Sequence, residues 1–246
     1  MHSTKVLLPV VALAVVTIIL ILFHSTVLSW FQSSLSRQFI VGIDLTKGRE
    51  EQARNDSLCI VNQILPILDV EDKIDVYVIH GRSEAQPLHI LSSTMPSDKG
   101  SYEQGWKRAK EDAESLFKAN WQDAVSHMQD QALSLRTDIF GFLQLCSSHR
   151  VPSRETMIIL LSDMQQVGDG MNFEKEIPDS STVRLCREGG LVSDLHGCKM
   201  YVLGCTATHG ISNQHYRAIR TWWVTRFLPL TNAKLIAYSS DYEMNE

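Results

Sequence analysis

"QFIVGIDLTKG", residues 38–48, decides how the rest of the chain is read. Phe39, Ile40, Val41 and Ile43 form an apolar run around Gly42, as long as a buried strand, and the run stops at Asp44. Thr46 and Gly48 follow at alternate positions. Alternate residues of extended backbone share a face. Asp44 is therefore either a turn residue at a strand end or the first of several oxygen ligands on one side of a loop.

Other segments repeat the pattern. "KIDVYVIH" (73–80), "LHILSST" (88–94), "ETMIILLSD" (155–163), "CKMYVLGCTA" (198–207) and "AKLIAYSS" (233–240) read as strands. Between them, 49–68, 101–135, 137–149 and 212–229 carry helical spacing, with Pro66 ending or kinking the first helix. Thr137 or Asp138 caps the third helix and Ser212 the last. Only "GRSEAQP" (81–87) separates the second and third strands, too short for a crossover helix, so that pair is antiparallel. The fold class is α/β: a doubly wound, mostly parallel six-stranded sheet with helices on both faces and one antiparallel edge strand. Ligands in such folds sit beyond the carboxyl ends of the central strands.

The amino terminus differs. "VLLPVVALAVVTIILILF" (6–23) holds no charge, and as a helix it spans roughly 27 Å, close to the hydrocarbon thickness of a bilayer. A cleaved signal peptide has a shorter apolar core, and "VLS" (27–29) is the one passable cleavage site. The expected organisation is a transmembrane anchor over 1–24, a linker over 25–37 and an α/β domain over 38–246. Lys5 before the span orients the chain with its amino terminus cytoplasmic and the domain extracytoplasmic, periplasmic or on the cell surface. One anchor with one domain fits a bacterial envelope protein. Lys and Arg (23) are fewer than Asp and Glu (28), and no basic stripe dominates, so nucleic acid is not an expected partner. The five cysteines form no C-x-x-C; Cys186 and Cys198 are a candidate disulfide pair if the domain is extracytoplasmic.

Three polar clusters fall where a ligand would sit: Asp44-Leu45-Thr46-Lys47-Gly48, Thr137-Asp138 and Ser162-Asp163. Their order and context resemble the von Willebrand factor A domain family, whose metal-ion-dependent adhesion site has Asp-x-Ser-x-Ser after the first strand, a Thr from a second loop and an Asp from a third. The resemblance covers about 38–240. It implies Asp44, Thr46, Thr137 and Asp163 as ligands of Mg²⁺ or Mn²⁺, and a protein partner that offers an acidic side chain to the ion. Hard divalent cations take oxygen ligands of this kind. Gly48 stands where the family has its second Ser, and Lys47 and Arg49 add positive charge. A scaffold with a non-functional metal site, in which Asp44 and Asp163 bond loop amides, is the alternative.

No G-x-S-x-G, P-loop or H-E-x-x-H is present, so an enzyme is not expected. A metal-dependent hydrolase is the weakest reading, because Thr46 replaces the second Asp of D-x-D-x-T. Of Trp222 and Trp223, one is expected in the core and the other exposed. The charged 101–135 helix, with Trp106, Ala109, Ala113, Leu116 and Phe117 on its apolar face, is read as solvated on the other.

Overall fold

The apolar runs become strands in the computed structural model, which describes residues 36–46, 49–97, 104–129, 135–207 and 211–244. The strands are β1 (Arg37–Asp44), β2 (Lys73–Ile79), β3 (Leu88–Thr94), β4 (Glu155–Leu161), a short β5 (Val167–Gly168) and β6 (Met171–Asn172), then β7 (Lys199–Leu203) and β8 (Lys234–Tyr238). Six form one sheet in the order β3-β2-β1-β4-β7-β8, and β5 and β6 pair separately as a hairpin. All neighbours in the large sheet are parallel except β2 and β3. The antiparallel pair follows from its short connection, as the sequence predicts.

The helices are α1 (Glu50–Cys59), α2 (Gln104–Gln129), α3 (Ile139–His149), α4 (Ser180–Glu188) and α5 (Asn213–Trp222). Strand alternation divides the core in two. Phe39, Val41, Ile43, Met157, Ile159 and Leu161 face one layer with Ile60, Ile64 and Phe117. Ile40, Ile158 and Leu160 face the other, with Phe140, Phe142, Ile219 and Trp223. Both sheet faces are covered, which is why the central strands read as continuous apolar runs. Gly42 serves this packing: a Cβ there would lie 2.5 Å from the Phe142 ring, so its absence lets α3 approach β1 closely.

α1 and α5 end alike. Each runs into a π-helical turn, Ile60–Ile64 and Trp223–Phe227, whose last residue is followed by one further residue and a proline, Pro66 or Pro229. Proline lacks an N–H and crowds the carbonyl four residues back, so the helix widens before it. In the second case the widening turns both tryptophans inward. Trp222 is 3% exposed and Trp223 fully buried, so neither is the exposed member expected of the pair. Their indole N–H groups donate to the carbonyls of Asp179 and Met164, each at 2.8 Å.

α2 packs Ala113 and Phe117 inward as predicted, but Leu116 is exposed. α4 lies in a stretch for which no element was predicted. Its signal is a reciprocal capping box: the Asp179 carboxylate accepts from the Thr182 N–H, and the Thr182 hydroxyl accepts from the Asp179 N–H. All five cysteines are free and buried; Cys186 Sγ meets the Met171 sulfur at 3.9 Å and is not joined to Cys198. The 6–23 anchor, most of the 25–37 linker, and Lys47 and Gly48 lie outside the described residues. Among the described residues no helix is long and apolar enough to cross a membrane.

Candidate functional site

The sheet order reverses between β1 and β4, since the chain moves from β1 through β2 to β3 and then returns to the other side of β1. The carboxyl ends of these two strands deliver Asp44 and Asp163 side by side. Thr137 arrives from the loop before α3. Its neighbour Asp138 is the cap, accepting from Gly141 N–H at 2.7 Å, which leaves the Thr137 hydroxyl for other bonds.

The three loops meet through hydroxyl groups. Thr137 donates to Thr46 Oγ1 at 3.1 Å, and Thr46 donates to Asp44 Oδ1 at 2.6 Å. Ser162, from the end of β4, donates to Asp44 Oδ2 at 2.8 Å. The Thr46 N–H also reaches Asp44 Oδ1, at 3.1 Å. On Asp163, Oδ1 accepts from the Gln165 N–H and Oδ2 from the Gln165 amide, both at 3.0 Å. Asp44, Thr46, Thr137 and Asp163 are all buried. All four predicted positions are thus drawn to one edge of the sheet, joined by Ser162, which belongs to the third polar cluster but was not expected among the ligands.

Met164, next in the chain, takes a left-handed backbone conformation at φ 63°. A non-glycine residue pays for that conformation with crowding at its Cβ. Two bonds hold it: the Met164 N–H donates to Ser162 Oγ at 2.9 Å, and its carbonyl accepts from Trp223. The turn keeps Ser162 and Asp163 aimed at β1.

Arg49 occupies the centre of the cluster. It is 2% exposed. Its Nε lies 3.8 Å from Asp44 Oδ2, Nη1 lies 3.7 Å from Asp163 Oδ2, and Nη2 donates to Asp56 Oδ2 at 3.2 Å. Nε also donates to the Asp44 carbonyl at 3.3 Å. Nη1 has no hydrogen-bond partner among the described residues. Behind Asp56, the Tyr242 hydroxyl donates to Oδ1 at 2.7 Å. Arg49 was read from the sequence only as nearby positive charge, and Asp56 was missed. One signal was available: Arg49 is the N-cap of α1, where a cation opposes the helix dipole and no side-chain capping bond is made.

Electrostatics follow from burial. Three carboxylates face one guanidinium. Burial alone would lower the Arg49 pKa, but Asp44, Asp163 and Asp56 outweigh it and hold the group firmly as a cation. Burial, with Asp44 adding to it, pushes Asp163 up to about 7 against the pull of Arg49. Burial likewise pushes Asp56 up to about 6. A buried carboxylate without a full counter-charge favours its neutral form.

As arranged, these residues do not fit a divalent cation. Both Asp44 oxygens already accept hydroxyl protons, both Asp163 oxygens accept from Gln165, and a guanidinium lies against both carboxylates.

No protein-family model matches the sequence, and no curated protein matches it either. Among solved structures, the pilus adhesin SpaC from Lactobacillus rhamnosus GG aligns with 85% of this chain and 28% of its own, at 13% identity and a TM-score of 0.42. Proximal thread matrix protein 1 from the mussel byssus aligns with 75% of this chain and 41% of its own, at 12% identity and 0.33. Human COPII-coat protein Sec24c aligns with 83% and 30%, at 11% identity and 0.37. The chain spans less than half the length of each, and likeness at this level assigns no function to it.

Proposed function

We infer that residues 38–246 form a von Willebrand factor A-like module that binds another protein through the loops at the carboxyl edge of its sheet. The observation that carries this reading is the convergence of the β1, β4 and pre-α3 loops at the strand-order reversal, the place where open α/β sheets bind. Residues 6–23 anchor the module in a membrane, with the domain extracytoplasmic. The module is not an enzyme. In support, the polar groups at the edge bond one another, and burial pushes the Cys59 and Cys186 thiols up to about 12 and about 11, away from nucleophilic thiolate.

The family resemblance adds Mg²⁺ or Mn²⁺ on Asp44, Thr46, Thr137 and Asp163, engaging an acidic side chain of the partner. The placement of Arg49 between the two carboxylates favours the other reading, a metal-free scaffold.

The test is crosslinked affinity capture with the whole chain in its native membrane. Asp169 and Thr206 are exposed at the loop edge, and Ser153 is exposed before β4, at the opposite edge. Asp169→Arg with Thr206→Arg is expected to abolish capture of the partner that wild type retains, while Ser153→Arg leaves it intact. Equal capture by all three places the binding surface elsewhere.

A further inference from the structure

We propose that the Arg49 guanidinium takes the place of the divalent cation implied by the family resemblance, compensating Asp44 and Asp163 so that the loop edge assembles without metal. This goes beyond the protein-binding reading and holds whichever partner the edge meets.

Three observations converge. The first is position: Nε and Nη1 of one planar group lie 3.8 and 3.7 Å from the carboxylates that β1 and β4 deliver, so the cation bridges the two strand ends. The second is anchorage. Asp56 lies seven residues on, two turns along the same face of α1, and accepts from Nη2 at 3.2 Å. A metal held by the loop residues has no use for Asp56, whereas a guanidinium reaching inward needs a partner on its far side. Tyr242 then bonds the other oxygen of Asp56 and closes the cluster. The third is exclusion. Arg49 is 2% exposed, and it cannot lose its proton under ordinary conditions, so its charge cannot be relieved in favour of an incoming cation. A Mg²⁺ or Mn²⁺ ion entering between Asp44 and Asp163 would meet a fixed like charge.

The side chain is long and branched at its end. Removing it leaves two facing carboxylates, the hydroxyls of Thr46 and Thr137, and space for water, a set of oxygen ligands suited to a hard cation. The proposal therefore predicts a gain of binding on mutation.

The experiment titrates MnCl₂ into the purified whole chain and follows free Mn²⁺ by electron paramagnetic resonance, with thermal melting in parallel. Wild type is expected to bind no Mn²⁺ at millimolar concentration and to melt identically with and without chelator. Arg49→Ala is expected to remove the free Mn²⁺ signal, and to lose that gain when combined with Asp44→Asn. Arg49→Lys keeps a cation and stays metal-free. Mn²⁺ binding by wild type that Asp44→Asn abolishes overturns the proposal. So does a folded Arg49→Ala that gains nothing, or an Arg49→Lys that binds Mn²⁺. If Arg49→Ala does not fold, the wild-type and Arg49→Lys titrations decide. Equal partner capture by wild type, Asp169→Arg with Thr206→Arg, and Ser153→Arg counts against the protein-binding reading and, with these titrations unchanged, leaves this one standing.

Discussion

Arg49 and Asp56 meet at 3.2 Å, out of contact with solvent, at the first and eighth positions of a single two-turn stretch. Among the described residues Arg49 is the one cation that faces Asp44, Asp56 and Asp163 together, so its removal leaves all three carboxylates uncompensated. Arg49→Met is expected to destabilise the chain by about 3–5 kcal/mol, because three buried carboxylates lose their counter-ion. Asp56→Asn is expected to cost less, since Asp44 and Asp163 still face the guanidinium. The double variant should cost less than the sum, as residues in one network do not act independently. Denaturant melts of the four proteins measure this. An Arg49→Met within experimental error of wild type would falsify the network.

The Tyr242 hydroxyl also depends on a glycine. Gly204, at φ 67°, lies so close that a Cβ there would sit 2.6 Å from the Tyr242 oxygen. Gly190 has a similar φ of 69° but open space around it. Gly190→Ala should cost about 1 kcal/mol for the left-handed backbone alone. Gly204→Ala should cost clearly more, because Tyr242 must also leave Asp56. Equal effects in thermal melts would show that Tyr242 is not held against the cluster.

A pH dependence arises on β2. Burial raises the Asp75 carboxyl, but hydrogen bonds from His89, Lys73, Ser92 and Gln38 outweigh it and hold the pKa well below the usual range. Ser92 donates at 2.8 Å and Lys73 lies at 2.9 Å. The folded pKa is depressed, so this stability is present above the unfolded value of about 4 and is lost as pH falls below it toward the folded pKa. Wild type should therefore lose stability progressively in this acid range. Asp75→Asn should be less stable near neutrality and show a shallower acid loss. Parallel acid curves for the two proteins would exclude Asp75 as a contributor.

Every thiol is buried and free. The folded chain should label slowly with a membrane-impermeant alkylating reagent, and all five cysteines should label after denaturation without reductant. Mass spectrometry that finds Cys186 joined to Cys198 would contradict the free thiols of the structure.

Much of the fold was legible along the chain. Each central strand is a short apolar run buried on both faces, and the crossovers other than that from β4 to β7 carry helical spacing, so the α/β order and the antiparallel β2–β3 pair could be read from local pattern, while the meeting of Asp44, Thr46, Thr137 and Asp163 was implied by the family resemblance. The hairpin of β5 and β6 was too short to leave a pattern. The apolar face of α4 is short, Val183 and Cys186, so its capping box is the clearer signal.

What only the tertiary structure decided depends on groups brought together from distant segments. Trp222 and Trp223 are adjacent, and periodicity places one of them outside. A π turn and the loop carrying Asp179 and Met164 bury both. Leu116 lies on the apolar stripe of α2 yet is exposed. Above all, the sequence determined which oxygens stand at the carboxyl edge, since Asp44 ends β1 and Asp163 follows shortly after β4. It could not determine where the Arg49 side chain goes. A long cation at a helix start ordinarily points to water, and here it turns inward because three carboxylates from β1, α1 and the β4 loop face one point that solvent does not reach.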